Sequence, residues 1–476
     1  MLYINGEWHG AGSGEVFESR NPATGEVLGS LADGSAEDAR LAVNAASGAF
    51  GTWSKLTSYQ RSAFLYESWT LMNERREDLA QIMTKEQGKP LRMSRNEVGY
   101  AADFLLWFAE EAKRVYGETI PSARADQRFL TMHQPVGVAA AITPWNYPIS
   151  MITRKVAPAL AAGCTMVVKP AKATPLCAVE TFRIFEDAGI PPGVVNLVTS
   201  SRSRPIAEEF MSNWAVRKIT FTGSTEVGKE IARNAADQLK RVSLELGGHA
   251  PFIVFEDADP VHAARGAALV KFLNTGQACI SPNRLFVHAS IAEHFVAELT
   301  SRVEKLQAGN GLDEGVTVGP LIDDDAMAKM ASQVEDATAR GATVTTGGTR
   351  LSGPAYDRGT FWAPTVLTDV TPDMLIYREE TFGPIAPVTV FNDEDEVIEM
   401  ANDTTYGLAS YLYTRNLSRA IKVSEALNFA IIGVNDINPT SAAVPFGGIK
   451  ESGVGREGAK VGLTEYLDTK VVGIAL

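Results

Sequence analysis

The chain has 476 residues, 45% hydrophobic and 21% charged, as in a folded globular protein with room for two or three domains. Its 44 basic and 57 acidic side chains leave a formal charge of −13, so neither a nucleic acid nor an anionic membrane surface is an expected partner. Three cysteines, Cys164, Cys177 and Cys279, are too few for a disulfide framework and point to a reducing compartment.

The amino terminus, MLYINGEWHG, lacks a basic stretch followed by an apolar run, so no signal peptide and a cytoplasmic location are expected. Around "NGEW", "GAGSG" and "NPATGE" the first thirty residues alternate apolar and polar side chains, which predicts hairpins. "GAGSG" (10–14) looks like a phosphate loop but precedes no helix, so it reads as a turn. Helical periodicity fills 35–115, opened by Ser35 as the cap. From 136 onward short apolar strands (Val136–Ile142, Thr165–Lys169, Val194–Val198, Lys218–Thr222) alternate with helical segments such as 174–188. A second strand–helix series runs from about 250 to 430. This alternation predicts an α/β protein with parallel sheets covered by helices on both faces. Residues 120–135 and 464–476 read as strands outside both units, and Val156–Val168, broken by Pro158, Gly163 and Thr165, is too short to span a membrane.

Five stretches carry candidate chemistry. In "TPWNYP" (143–148) two prolines fix the backbone around Asn146, whose amide could stabilise an oxyanion; a plain Pro-rich loop is the alternative. "VVKPAKATP" (167–175) ends a strand at Lys169, which either holds ribose or phosphate or is solvated. In "FTGSTEVGKE" (221–230), Gly223 and Ser224 open a helix whose free N–H groups could face a pyrophosphate, although the spacing is not G-x-G-x-x-G and a simple capped helix fits as well. "VSLELGGHAP" (242–251) places Glu245 at the end of an apolar run, where burial would raise its pKa toward that of a general base; pairing with a surface lysine is the competing reading. In "NTGQACISP" (274–282), Cys279 has no histidine within eight residues, and a lone thiol is most often a small buried hydrophobe.

In this order, "PWNYP", "LAAGCTMVVKP", "PPGVVNLV", "FTGSTEVG", "LELGG", "GQACISPNR", "EETFGP", "NDTTYGLAS" and "PFGGIKESGVGREG" resemble the aldehyde dehydrogenase superfamily, over about residues 4 to 472. The resemblance implies a Rossmann-type cofactor domain (1–118 and 137–247), an α/β catalytic domain (248–435), oligomerisation strands (119–136 and 460–476) and a segment, 436–459, returning to the substrate tunnel. It makes Cys279 the nucleophile, which attacks the aldehyde and forms a thioester. Asn146 and the Cys279 N–H become oxyanion donors, and Glu245 becomes the base that activates water. Cofactor contacts carry over to Thr143, Trp145, Lys169, Gly223, Ser224, Glu380 and Phe382, and no metal is implied. At residue 172 many NAD-preferring relatives carry a glutamate that repels a 2′-phosphate. Lys172 stands there, with Arg202 and Arg204 in the altered loop "TSSRSRP", so use of NADP alongside NAD is expected.

Within the superfamily, "ISMITRKVAPALAAGCTMVVKP" and "FGGIKESGVGREG" look most like succinate-semialdehyde dehydrogenases, where an arginine matching Arg154 binds the substrate carboxylate. Phe446 and Ser441 or Thr440 of "INPTSAAVPF" are expected along the tunnel. Two positions depart: Leu273 replaces a second substrate arginine, and Ser281 replaces a second cysteine. The resemblance thus implies oxidation of a short anionic semialdehyde. Glutarate semialdehyde, sulfolactaldehyde or neutral aldehydes are the alternatives, in a homodimer or homotetramer.

Overall fold

Asn5 and Gly6 both take positive φ (55° and 81°), the two-residue turn that joins strand Leu2–Ile4 to Glu7–His9. The computed structural model describes residues 1–476. "GAGSG" lies in the turn before strand Val16–Arg20, which pairs with Val27–Ala32. Helix Ala36–Trp53 begins at Ser35, whose hydroxyl caps the Asp38 N–H while Asp38 caps the Ser35 N–H in return. Three more helices, Ser58–Glu74, Arg76–Gln87 and Leu91–Glu111, complete the helical amino-terminal third. No helix is long and apolar enough to cross a membrane.

An eight-stranded sheet runs in the order Gly453–Val454, Arg241–Glu245, Val216–Thr222, Val138–Ile142, Thr165–Lys169, Val195–Leu197, Leu2–Ile4, Glu7–His9. Its five central strands are parallel. Chain order reverses between Val138–Ile142 and Val216–Thr222, and the carboxyl ends beside such a reversal form the crevice where α/β sheets bind ligands. A second sheet of seven strands is parallel except at Thr343–Thr346, and its centre is Pro282–His288 beside Ala250–Val254. Thr119–Ile120, Gln127–Pro135 and Leu467–Ala475 form a separate antiparallel ribbon.

Helix Ser150–Ala162 is buried along its whole length, because helix Leu91–Glu111 covers one side and the first sheet lies beneath it. Strand Gly453–Val454 returns from the carboxy-terminal region to pair with Leu244 and Glu245. Gly453 has φ 148°, and a Cβ there would stand 2.2 Å from the Leu244 carbonyl oxygen. The contact is backbone against backbone, so nothing can rotate away. Gly453→Ala is therefore expected to destabilise the protein by roughly 2 kcal/mol, seen as a lowered urea midpoint. An unchanged midpoint would contradict this reading of the strand pair.

Candidate active site

Asn146 follows strand Val138–Ile142 and its side chain is fixed at both ends. Its Oδ1 accepts from the Tyr147 N–H at 3.1 Å, and its Nδ2 donates to the Gln277 carbonyl at 3.2 Å. Those two partners set which way the amide points and leave one N–H unused.

Glu245 ends strand Arg241–Glu245 opposite Thr222, and its carbonyl accepts from the Gly223 N–H at 3.1 Å. The side chain is 3% exposed and neither carboxyl oxygen has a hydrogen-bond partner. The surface-lysine reading is thereby replaced: the group sits in the interior without an ion pair of its own. Burial, and then the neighbouring Glu457, push the carboxyl up to about 8, against the opposing pull of Arg154 and Lys155.

Cys279 comes from the second sheet. Three successive residues before it, Asn274, Thr275 and Gly276, have φ of 49°, 59° and 74°, a left-handed turn that only the glycine adopts freely. Side chains hold that turn: Thr275 exchanges hydrogen bonds with the Gly319 backbone at 3.2 and 3.1 Å, and Gln277 accepts from the Ile322 N–H at 2.9 Å. The Cys279 N–H makes no backbone hydrogen bond. Burial and the nearby Glu245 raise the thiol well above its usual range, with Arg154 opposing. Cys279 is half-buried, whereas Cys164 and Cys177 are buried in the core.

Asn146, Glu245 and Cys279 line one cleft of about 500 Å³ at the strand reversal. Trp145 and Phe382 meet edge to face across it, 5.6 Å between ring centres. Phe382 has φ 54°, a strained conformation for an aromatic residue. Gly223 and Ser224 form part of the wall, at the start of helix Thr225–Ala236, which Ser224 caps only loosely at 3.5 Å. Glu380 accepts from the Gly248 N–H at 2.9 Å, and burial raises its carboxyl to about 7.

Lys169 ends its strand almost fully buried and donates to Ser203 Oγ at 2.6 Å, which removes the solvated alternative. Burial lowers its ammonium to about 8. The Thr143 N–H donates to the Lys169 carbonyl at 3.1 Å. Lys172 is exposed and without a salt bridge. Arg202 and Arg204 are not available in the same way: Arg202 pairs with Glu15 at 2.5 Å and Arg204 with Glu208 at 3.0 Å.

Arg154 is buried rather than superficial. Its Nε lies 2.9 Å from Glu457 Oε2, in an orientation too oblique for a hydrogen bond, and its Nη2 has no partner. The guanidinium stacks on Phe446 at 4.1 Å and approaches Phe104 at 5.2 Å. Lys155 pairs with the other oxygen of Glu457 and donates to Thr222 Oγ1 at 2.7 Å. Ser441 is exposed, and its Oγ accepts from the Ala443 N–H at 3.3 Å. Thr440 faces Tyr100, whose phenol lies near Arg154 and Cys279.

Over residues 8–472 the chain matches the profile of the aldehyde dehydrogenase family. The chain belongs to the aldehyde dehydrogenase family. It is 49% identical to the glutarate-semialdehyde dehydrogenase of Pseudomonas putida, over 100% of this chain and 98% of that protein. It is also 49% identical to the NADP(+) succinate-semialdehyde dehydrogenase GabD of Escherichia coli, over 99% and 97%. The crystal structure of an NADP-dependent enzyme of E. coli superposes with a TM-score of 0.98 at 49% identity, covering 100% of this chain and 98% of that one.

Sequence reasoning missed several groups that this aldehyde dehydrogenase brings to the cleft. Lys329, from helix Asp324–Ala339, lies in the wall and draws Glu380 down. Lys155 and Glu457 complete the charge cluster behind Glu245. A signal for Lys155 was present: Arg154 and Lys155 are the only charged residues in "ISMITRKVAPALAA", an otherwise apolar helix. Two adjacent cations there require partners in the interior. Glu245 is expected to remain protonated near neutral pH. The carbonyl stretch of its carboxyl, identified by its loss in Glu245→Gln, should disappear on titration through about 8. A carboxyl already ionised at mildly acidic pH would contradict the desolvation argument.

Proposed function

We propose that this chain oxidises a short anionic semialdehyde of the succinate-semialdehyde type to its carboxylic acid, with NADP or NAD as hydride acceptor. Arg154 carries the substrate class: a buried guanidinium with one side held by Glu457 and an unpartnered Nη2 is a poised site for a second carboxylate. The relatives with which the chain shares half its sequence act on succinate and glutarate semialdehyde, as their names state. Leu273 stands in place of a second arginine, so glutarate semialdehyde is kept as the alternative substrate.

In this reading the Cys279 sulfur bonds to the aldehyde carbon after Glu245 takes the thiol proton. The oxyanion that forms is held by the unused Asn146 N–H and the free Cys279 N–H. When bound, the dinucleotide supplies the acceptor for the hydride that leaves this carbon. Glu245 gives the thiol proton up to solvent, the net proton of the oxidation, and then takes a proton from a water that attacks the resulting thioester. Passing that proton to the departing Cys279 thiolate releases the acid and restores the thiol. The high carboxyl pKa of Glu245 suits both proton transfers, since its neutral and ionised forms are both within reach near neutral pH.

The residues present fit a dinucleotide. Thr381 Oγ1 is buried at the cleft without a partner. Gly223 brings backbone to the cleft where a Cβ would stand 2.4 Å from Phe221. Trp145 and Phe382 supply apolar wall, Glu380 and Lys169 present ribose and phosphate contacts, and Lys172 is the free cation for a 2′-phosphate. In this division 1–118 and 137–247 carry the cofactor and 248–435 the thiol, with 436–459 closing the tunnel. The ribbon of Gln127–Pro135 and Leu467–Ala475, outside both large sheets, joins subunits in a homodimer or homotetramer.

Cofactor reduction with a panel of aldehydes tests the proposal. Succinate or glutarate semialdehyde is expected to be preferred to propanal, and Cys279→Ala should abolish reduction. Arg154→Ala should raise KM for the anionic aldehydes roughly 10- to 100-fold, as for a lost charge-assisted hydrogen bond, and leave propanal little changed. Equal effects on both substrates would make Arg154 a structural residue. Lys172→Glu is expected to lower kcat/KM with NADP by about tenfold or more relative to NAD, about 1.4 kcal/mol. An unchanged ratio would remove Lys172 from cofactor choice.

A further inference from the structure

Lys89 belongs to no part of the chemistry described so far, yet it is 1% exposed and reaches the catalytic loop. Its Nζ donates to the Asn146 backbone carbonyl at 2.6 Å and to Glu97 Oε2 at 2.5 Å, and it lies 4.1 Å over the Tyr147 ring. The other oxygen of Glu97 accepts from the Ile149 and Ser150 N–H groups at 3.1 and 3.2 Å. One buried ion pair therefore grips both the Asn146 carbonyl and the start of helix Ser150–Ala162. Asn274 supplies the second clamp from the opposite sheet: its Nδ2 donates to the Asn146 carbonyl at 3.0 Å and to the Gln277 carbonyl at 3.1 Å. Gln277 O is the same acceptor that holds the Asn146 amide.

These contacts leave the Asn146 side chain a single free donor. Its backbone carbonyl has two donors, its Oδ1 has one, and its Nδ2 keeps a single free N–H. A loop of this kind, between strand and helix, would otherwise sample several orientations, and an oxyanion donor displaced by about 1 Å loses much of its effect. A buried lysine–glutamate pair is also a poor source of stability, since apolar replacements are often neutral or better.

We propose that Lys89, set by Glu97 and assisted by Asn274, is a positioning residue that aims the one free amide N–H of Asn146 at the oxyanion. This rests on the reading of Asn146 as the oxyanion donor. It makes Lys89 act on the first chemical step through Asn146, and not on cofactor or substrate binding. Asn274 also explains why its left-handed conformation is kept: the turn carries its amide to a point within reach of both catalytic loops.

The test uses the full-length protein, with single-turnover hydride transfer from succinate semialdehyde to NADP, KM and the NADP dissociation constant as readouts. Lys89→Met is made together with Glu97→Gln, whose amide oxygen still accepts from Ile149 and Ser150 while no carboxylate is left buried without its cation. This pair is expected to slow hydride transfer by about tenfold or more, part of the roughly 10²- to 10³-fold loss expected for Asn146→Ala. KM and the NADP dissociation constant should stay within about twofold. In the Asn146→Ala background the same pair should cost less than about twofold, because the group it aims is gone. Asn274→Gly, which keeps the left-handed backbone and removes the amide, should show the same pattern and serves if the lysine variant does not fold. Losses that multiply in the Asn146→Ala background, or a full hydride-transfer rate without Lys89, would overturn the proposal. Full turnover in Cys279→Ala would instead overturn the proposed chemistry of the site.

Discussion

Desolvation of one carboxyl group organises the centre of this molecule. Glu245 is placed by a parallel strand in an interior position where no donor reaches it, and Glu457 adds a second negative charge nearby. Left alone, two such groups would be strongly unfavourable in a low-dielectric setting. The fold answers with Arg154 and Lys155, which pair with Glu457 and leave Glu245 free. The carboxyl is thereby kept unbonded, close to its neutral form, in the same cleft as the Cys279 thiol, as the proposed proton transfer requires. The return of Gly453–Val454 along the Glu245 strand covers that arrangement from one side.

The cleft exists because two sheets contribute to it from opposite sides. The first supplies Asn146, from the loop after strand Val138–Ile142, and Glu245, from the end of strand Arg241–Glu245, both at the carboxyl side of the sheet near the reversal of chain order. The second supplies Cys279 and Phe382, each carried on left-handed backbone at or just before it. Such conformations cost free energy and are kept where surrounding bonds over-determine them. The Thr275–Gly319 and Gln277–Ile322 hydrogen bonds do this for the thiol loop, and Asn274 ties that loop to the Asn146 loop. The two halves of the site are thus joined by hydrogen bonds as well as by packing.

Much of this was legible in the sequence wherever the signal was local. Strand Thr165–Lys169 and the Ser35 cap have the bounds that alternation and capping chemistry predict, and strand Val138–Ile142 starts two residues later than expected because Gly137 takes φ 125°. Local pattern could not say that Asn146, Glu245 and Cys279 share a cleft, since they lie on different strands of two sheets; only the ordered motifs of a family implied it. It also misjudged charges. Arg202 and Arg204 stand in the loop expected to favour NADP, but Arg202 pairs with the distant Glu15 and Arg204 with Glu208 one helical turn on. Arg154 has its distant partner in Glu457, far along the chain. Lys89 and Glu97 gave no signal, because the carbonyl and N–H groups they hold belong to a loop some fifty residues away.

In the proposed reaction Cys279 carries the acyl group and Glu245 releases it. Mass spectrometry of Glu245→Gln protein, quenched after incubation with succinate semialdehyde and NADP, addresses this directly. The expected result is one succinyl group per chain, on the peptide that contains Cys279, accumulating because its hydrolysis has been slowed. An unmodified Cys279 peptide in protein that has reduced its cofactor, or the same acyl group on Cys164 or Cys177, would contradict it.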